Sequence, residues 1–248
     1  MRRLGHLREA IAVHARHGRC AQAWKGHLQN TRDFILQAAE SCLSRRKCIV
    51  LGSGLLLDFP LDDMARRFEE IVLVDIVHLP SVLKQVRRWP HVRTVQWDIT
   101  GVAAEIARCG RNTPAVLPPS RPDLPELDEK TDFVISLNIL SQLTVCLRHH
   151  LEEELNYADS AALDAWEEGI MRDHYGMLRA LKCRVCLVTD YEWNVYDRAG
   201  TVVKTVTTVR GVALPRADRE WIWDIVPPGE VSKDCSVSRK VAAFSFSQ

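Results

Sequence analysis

The chain has 248 residues, of which 46% are hydrophobic and 26% are charged, and its formal net charge at pH 7 is +1. These values are typical of one folded α/β domain with additions, and they exclude a broad electrostatic attraction to nucleic acid or to an anionic membrane. No apolar run approaches the ~20 residues that cross a bilayer. Reduced thiols and the lack of an apolar leader stretch predict a cytoplasmic protein.

The N-terminal part of the chain, residues 1–44, is predicted to form a helical cap ahead of the first strand. Two helices are expected there, over residues 7–17 and 21–43. In the second, apolar side chains recur at spacings of three and four, which indicates a stripe that faces a core: Trp24, Leu28, Thr31 and Ile35.

A glycine turn follows the first predicted strand. Residues 48–51 are apolar and read as a buried strand, and Gly52-Ser53-Gly54 comes directly after them. Pro60 then predicts the start of a helix over residues 60–69, because proline suits a first helical turn. A strand, a glycine turn and a helix are typical of the opening of a nucleotide-binding βαβ unit.

Two aspartates follow the next two predicted strands at regular spacing. The strand over residues 71–74 ends in Asp75, and the strand over residues 94–97 ends in Asp98. Helices are expected after them, over residues 81–88 and 101–108. Strands that alternate with helices predict a parallel sheet, whose ligands bind beyond the carboxyl ends of the strands.

The second half of the chain continues this pattern and then changes it. A proline-rich loop is expected over residues 111–130, and a fourth strand over residues 132–137 is followed by Asn138, Ser141 and Gln142. The remaining elements are predicted as helices over 147–155 and 160–181, a fifth strand over 183–189, a β-hairpin addition at about 191–210, and strands over 221–226 and 240–246. The fold class is therefore α/β, a doubly wound and mostly parallel sheet with an antiparallel C-terminal strand pair and N-terminal helices.

The cysteines do not predict a metal site. The chain has eight of them, scattered along its length, and the pair Cys183 and Cys186 lies within a predicted strand. Residues three apart in a strand point to opposite faces. We therefore expect buried or half-buried free thiols and no metal.

This ordered set resembles the class I S-adenosylmethionine-dependent methyltransferases, over roughly residues 45–246. The resemblance implies that residues 45–248 form a Rossmann-like domain that binds S-adenosylmethionine. It implies that Asp75 binds the ribose hydroxyls, that Ile76 packs on the adenine, and that Asp98 contacts the adenine. The implied cofactor-binding residues are Gly52, Ser53, Gly54, Leu55, Asp58, Asp75, Ile76, Asp98, Ile99 and Asn138.

The sequence departs from the family pattern at two positions. Val50 stands where the family has an acid, and Leu56 stands where its third glycine falls. Asp58 is a candidate to supply the missing carboxylate to the ammonium group of the cofactor. The alternative is that Asp58 caps the helix that begins near Pro60.

The resemblance implies a methyltransferase that acts on a small-molecule acceptor. Residues 138–143 do not match the Asn-Pro-Pro-Tyr pattern of amino-group DNA methyltransferases. Trp24 and His27 are expected over the substrate pocket; alternatively, Trp24 packs in the core and His27 is solvated. The candidates for a catalytic base are His149, Tyr191, Glu192 and His27. The competing hypotheses are an inactive binding or regulatory protein on the same scaffold and a nicotinamide-dependent oxidoreductase.

Overall fold

A computed structural model describes residues 4–110, 117–124 and 126–247. Part of the predicted loop over residues 111–130 lies outside the described residues. The helices are α1 (His6–Glu40), α2 (Leu61–Ala65), α3 (Pro80–Val86), α4 (Ala103–Arg108), α5 (Val145–His149) and α6 (Ser160–Ala180). The strands are β1 (Lys47–Leu51), β2 (Glu70–Asp75), β3 (Val92–Gln96), β4 (Thr131–Leu137), β5 (Arg184–Asp197), β6 (Val202–Thr207), β7 (Arg219–Val226) and β8 (Cys235–Phe246).

The strands form one sheet in the order β3-β2-β1-β4-β5-β8-β7, with β6 paired to β5. The five strands from β3 to β5 in this order run parallel, and β8 is antiparallel to both β5 and β7. The predicted fold class is therefore confirmed. All five residues of β1 are buried, as its apolar sequence predicts for a central strand covered on both faces.

Alternation along the central strands divides the core between the two faces of the sheet. Cys48 and Val50 of β1 lie in the cluster that includes the buried side chains of α1, whereas Ile49 and Leu51 lie in the cluster that includes α6. Successive side chains of a strand point to opposite faces, and this period of two sets the division. The carboxyl end of the parallel strands is therefore flanked by α1 on one side.

The structure corrects the prediction of two N-terminal helices. α1 is one helix of 35 residues, and it runs through the predicted break at Gly18. Val13 before this glycine and Trp24 after it both pack in the core cluster that α1 shares with the sheet. Tertiary packing of an apolar face outweighs the roughly 1 kcal/mol that a helical glycine costs.

Several other elements differ from the predicted bounds, including α2, which ends at Ala65 rather than at residue 69. The predicted fifth strand and the first hairpin strand are one strand, β5, because β8 pairs with it from Val185 to Asp197. Correspondingly, β8 begins at Cys235 rather than at residue 240. The predicted helix over residues 147–155 is the short helix α5 followed by a π-helical turn over His150–Glu154. None of the helices in the described part of the chain has the length and hydropathy needed to span a membrane.

Candidate functional site

A cavity of about 350 Å³ lies at the carboxyl ends of the parallel strands, under α1. Nine of the ten predicted cofactor residues line it: Gly52, Gly54, Leu55, Asp58, Asp75, Ile76, Asp98, Ile99 and Asn138. The tenth, Ser53, is buried, and its hydroxyl has no hydrogen-bond partner among the described residues. Residues that are distant in sequence are thus collected at one edge of the sheet.

The two glycines of the turn have different roles. Both adopt positive φ, +76° at Gly52 and +50° at Gly54. A Cβ added at Gly52 would lie 1.9 Å from Ile139 Cγ2 and 2.9 Å from the carbonyl oxygen of Leu137, so close packing against the end of β4 requires glycine there. A Cβ added at Gly54 would meet nothing nearer than 3.8 Å. The backbone at Gly54 therefore borders open space in the cavity.

Asp75 joins the end of β2 to the glycine turn. One carboxylate oxygen accepts a hydrogen bond from the Gly54 N–H at 2.8 Å, and the other accepts one from the Val77 N–H at 3.2 Å. Burial raises the pKa of this carboxyl above its ordinary value, and the two backbone donors oppose that rise. Each carboxylate oxygen keeps a lone pair for a further donor.

Asp58 faces the end of β4 across the cavity. Its carboxylate accepts a hydrogen bond of 2.6 Å from the Asn138 Nδ2. Asn138 itself adopts a φ of +52°, and its Oδ1 is buried without a partner among the described residues. Burial raises the pKa of Asp58. The helix-capping interpretation is wrong, because no described side chain caps the N-terminus of α2.

The two departures from the family pattern have different structural consequences. Leu56 adopts a φ of +60°, so a leucine holds the left-handed conformation that glycine favours. Its side chain is buried and packs in the same core cluster as Phe59. Val50 is fully buried within β1 and leaves no carboxylate at the position where the family has one.

Asp98 is held by its own loop. Its carboxylate accepts hydrogen bonds from the Thr100 N–H at 3.0 Å, the Thr100 hydroxyl at 2.6 Å and the Ala103 N–H at 2.7 Å. It lines the cavity while holding the start of α4. Its structural role is thus established, and its predicted contact with adenine stays a prediction.

The strand order and these positions together decide the architecture. The parallel half of the sheet carries the glycine turn, Asp75 and Asn138 at its carboxyl edge, and the antiparallel β8 lies between β5 and β7. The chain has a doubly wound, mostly parallel α/β fold with an antiparallel C-terminal strand pair, as the resemblance of its sequence implies.

No protein-family model matches the sequence, and no curated protein matches it significantly. Among solved structures, the chain is similar to the N-methyltransferase NodS from Bradyrhizobium japonicum, solved in complex with S-adenosyl-L-homocysteine, with 12% identity, coverage of 86% of each chain and a TM-score of 0.39. It is also similar to a methyltransferase from Aquifex aeolicus, with 10% identity, coverage of 85% and 89%, and a TM-score of 0.38.

A third similar structure is 1,6-didemethyltoxoflavin-N1-methyltransferase from Burkholderia thailandensis, solved with 1,6-didemethyltoxoflavin and S-adenosylhomocysteine. The identity is 13%, the coverage is 95% of this chain and 89% of that chain, and the TM-score is 0.37. Similarity at this level does not assign an activity.

Only one of the four candidate bases lines the cavity as the described residues define it. That residue is His27. His149 is exposed and does not line the cavity. Glu192 forms an ion pair of 2.8 Å with Lys240, and Tyr191 packs against the core cluster that includes α6. The structure therefore gives no support to these three as bases.

His27 is buried rather than solvated. Its Nδ1 accepts a hydrogen bond of 3.0 Å from the Trp221 Nε1, and its ring stacks on Trp223 with centroids 4.0 Å apart. Burial lowers its pKa to about 3, so the ring is neutral at pH 7. A base needs a free lone pair, and Nδ1 is already occupied.

Sequence reasoning missed the polar groups contributed by β5 and β8. Arg239 lines the cavity and forms an ion pair of 3.1 Å with the fully buried Asp190, which also accepts a hydrogen bond of 2.6 Å from Ser141. The predicted β8 began one residue after Arg239, and the predicted β5 ended one residue before Asp190. The positions of Arg239 and Asp190 depend on the register between β5 and β8, and no local sequence pattern predicts that register.

The described residues contain no group of three or more histidine, cysteine or acidic side chains that could hold a metal ion. Cys183 and Cys186 are free thiols, and burial raises the pKa of Cys183 to about 11. Burial also raises the pKa of Cys186. These two cysteines are therefore unreactive thiols at neutral pH.

Proposed function

We propose that the protein is an S-adenosylmethionine-dependent methyltransferase with a small-molecule acceptor. The observation that carries this proposal is the meeting, in one cavity, of the Gly54 turn, the Asp75 carboxylate and the Asp58–Asn138 pair.

The donor set of the cavity fits this cofactor. S-adenosylmethionine carries an ammonium, a sulfonium and two ribose hydroxyls, all of which favour carboxylate neighbours. Asp75 has free lone pairs for the ribose hydroxyls, and Asp58 has a carboxylate for the ammonium. The buried Asn138 Oδ1 is a further acceptor that lacks a donor within the described part of the chain.

When bound, the cofactor supplies an already activated methyl group. The protein then has to align a nucleophile and exclude water. α1 covers the cavity, and residues 1–44 are proposed to act as its cap. Asn138 and Gln142 are the polar side chains nearest the end of β4 that line the cavity. A nucleophile that arrives without a proton needs no base, which is consistent with the neutral, hydrogen-bonded His27.

Two features favour this function over a nicotinamide-dependent oxidoreductase. A dinucleotide places its pyrophosphate beside the glycine turn, where the N-terminus of the following helix attracts it. Here α2 begins at Leu61, well after Gly54, and the carboxylates of Asp58 and Asp75 border the turn instead. Two half-buried carboxylates disfavour a diphosphate and favour a cation.

The size and lining of the cavity support a small acceptor. Its volume of about 350 Å³ lies at the lower end of the range of small-molecule sites. The net charge of +1 leaves no excess positive charge for a nucleic-acid substrate. We also propose a cytoplasmic location, which is supported by eight cysteines that are all free thiols.

Calorimetric titration with S-adenosylhomocysteine, S-adenosylmethionine, NAD and NADP tests the cofactor. We expect binding of the first two and none of the dinucleotides; binding of NAD alone would overturn the proposal. Incubation with the cofactor labelled in its methyl group and pooled small acceptors, followed by mass spectrometry, tests for transfer. Cofactor binding without any methylated product would favour the inactive regulatory protein.

A further inference from the structure

One side of the cavity is formed by α1 and the last two strands of the sheet. We define the aromatic wall as Trp24, His27, Trp223, Ile225 and Arg239, all of which line the cavity. The Trp24 Nε1 donates to the Ile225 carbonyl oxygen at 3.0 Å, so this contact ties α1 to β7 and leaves Trp24 without a free polar group. The polar groups of the other three side chains decide what the wall can bind.

His27 presents a hydrogen-bond donor. Its Nδ1 is the acceptor of the Trp221 Nε1–H, which can only donate. A neutral imidazole with an occupied Nδ1 lone pair carries its proton on Nε2. The second nitrogen of His27 is therefore an N–H.

Trp223 contributes a second donor. Its side chain is 8% exposed, and its Nε1–H is buried without an acceptor in the part of the chain that the structure describes. A buried donor that makes no hydrogen bond costs about 1–3 kcal/mol. A ligand oxygen at this wall would remove that cost after a small movement of the indole ring.

Arg239 contributes the charge. It lies directly opposite Trp223 in the register of β7 and β8, and its guanidinium is 5.9 Å from the centre of the Trp223 ring. One of its nitrogens, Nη1, is 3.1 Å from Oδ1 of the buried Asp190, and the Ser141 hydroxyl donates a hydrogen bond of 2.6 Å to the same oxygen. Guanidinium has five N–H groups, so donors remain for a ligand. The side chain is 25% exposed, which leaves it accessible from the cavity.

Donors alone on one wall select an oxygen anion. We propose that the acceptor is a small apolar acid whose carboxylate binds at His27, Trp223 and Arg239, while its apolar body packs against Trp24 and Ile225. The identity of this molecule as the acceptor depends on the proposed methyltransferase function, but the acid-binding site itself does not. Asp190 is a positioning residue in this arrangement, since it holds the guanidinium against the wall.

Three probes of similar shape test the site: phenylacetate, phenylacetamide and phenethylamine. Each is titrated calorimetrically into the wild-type protein, with and without saturating S-adenosylhomocysteine. We expect phenylacetate to bind at least tenfold more tightly than phenylacetamide, and phenethylamine to bind most weakly. Equal affinities for the acid and the amide, or tighter binding of the amine, would overturn the acid site. A failure of S-adenosylhomocysteine to bind would instead count against the methyltransferase proposal.

Two variants and a matched control test whether the preference for the acid over the amide depends on Arg239 and Trp223. Arg239→Gln should reduce the preference for acid over amide to below about threefold, and Trp223→Phe should weaken phenylacetate severalfold while keeping an aromatic ring. Arg46→Gln removes another arginine that pairs with an aspartate, Asp132, outside the cavity lining, and should leave the preference intact. An unchanged preference in folded Arg239→Gln would overturn the proposal. If Arg239→Gln does not fold, the test uses the affinities of the three probes for the wild-type protein and the affinity of Trp223→Phe for phenylacetate.

Discussion

The Asp75 carboxylate accepts a hydrogen bond from the Gly54 N–H, and this contact links the ends of two adjacent parallel strands. Asp75→Ala removes the acceptor of Gly54 and Val77 together with the proposed partner of the ribose hydroxyls. We expect the affinity for S-adenosylhomocysteine to fall tenfold or more, about 1.5–3 kcal/mol for bonds to a charged group. The free energy of unfolding should fall by roughly 1 kcal/mol.

The control for this variant is Asp63→Ala, which removes an exposed carboxylate of α2. Calorimetry and thermal unfolding of both variants separate the two effects. Unchanged affinity in folded Asp75→Ala would place the ribose site elsewhere.

The two glycines of the turn should respond differently to substitution. Gly52→Ala forces a Cβ to within 1.9 Å of Ile139, and we expect it to lower the stability by about 2 kcal/mol or more. Gly54→Ala has space and should cost roughly 1 kcal/mol for its positive φ. Gly54→Val should abolish S-adenosylhomocysteine binding, because a branched side chain fills the space that the cofactor needs.

The matched control for Gly54→Val is Gly200→Val, at a hairpin turn with a φ of +81° and nothing within 4 Å of an added Cβ. This variant also places a branched residue at a positive φ, but outside the cavity lining. Near-normal affinity in the folded fraction of Gly54→Val would show that the turn is purely structural.

The part of the cavity around the glycine turn was predictable because its signals are local. The apolar run of β1, the glycines behind it and the acid at the end of β2 are each recognisable within a few residues. Because parallel strands bring their carboxyl ends to one edge, placing Asp75 and Asn138 beside Gly54 required only the order of the elements.

The part of the cavity that contains His27 and Arg239 could not be predicted in the same way. Arg239 and Asp190 meet through the pairing of β5 with β8, which joins residues almost fifty positions apart. The buried state of His27 depends on Trp221 and Trp223, which are nearly two hundred positions away. Such contacts depend on strand register and helix docking, and both are set by the whole core. Leu56 shows the same limit, since packing holds a leucine in a backbone conformation that its type disfavours.

We expect the ionised Asp58 carboxylate to lower the stability of the folded protein and to strengthen cofactor binding. Burial raises its pKa from an ordinary 3.8, so above that pH the folded state holds a proton more tightly than the unfolded state, and stability falls as pH rises through the folded pKa. Asp58→Asn removes this cost and keeps an oxygen that can accept from Asn138. We expect an increase in the free energy of unfolding of roughly 0.5–2 kcal/mol at pH 7.

The difference in the free energy of unfolding between Asp58→Asn and wild-type should become smaller as the pH falls, because the wild-type carboxyl is then increasingly protonated. In the same variant, the affinity for S-adenosylhomocysteine should fall about tenfold through loss of the charged partner of the ammonium. Urea unfolding across this pH range, with Asp63→Asn as the exposed control, measures the effect. Equal stability of wild-type and Asp58→Asn at all pH values would contradict the prediction that burial of the charged Asp58 destabilises the folded protein.

His27 predicts a loss of stability at acidic pH. Its pKa falls from 6.5 to about 3 on folding, so between these values the unfolded state binds the proton and the folded state does not. The contribution of neutral His27 is complete above pH 6.5 and is lost as pH falls toward 3. At 1.36 kcal/mol per pKa unit, the wild-type should lose roughly 3 kcal/mol between pH 7 and pH 4 from this residue.

The variant His27→Asn tests this contribution, because it does not titrate and offers an oxygen to the Trp221 Nε1. Its stability should depend less steeply on pH over the same interval. Some dependence should remain, since burial also lowers the pKa of His174 to about 4, and His174→Asn is the matched control for that part. Urea unfolding monitored by circular dichroism at half-unit pH intervals gives the slopes. Parallel slopes for wild-type and His27→Asn would mean that folding does not lower the pKa of His27, and this outcome would contradict the prediction.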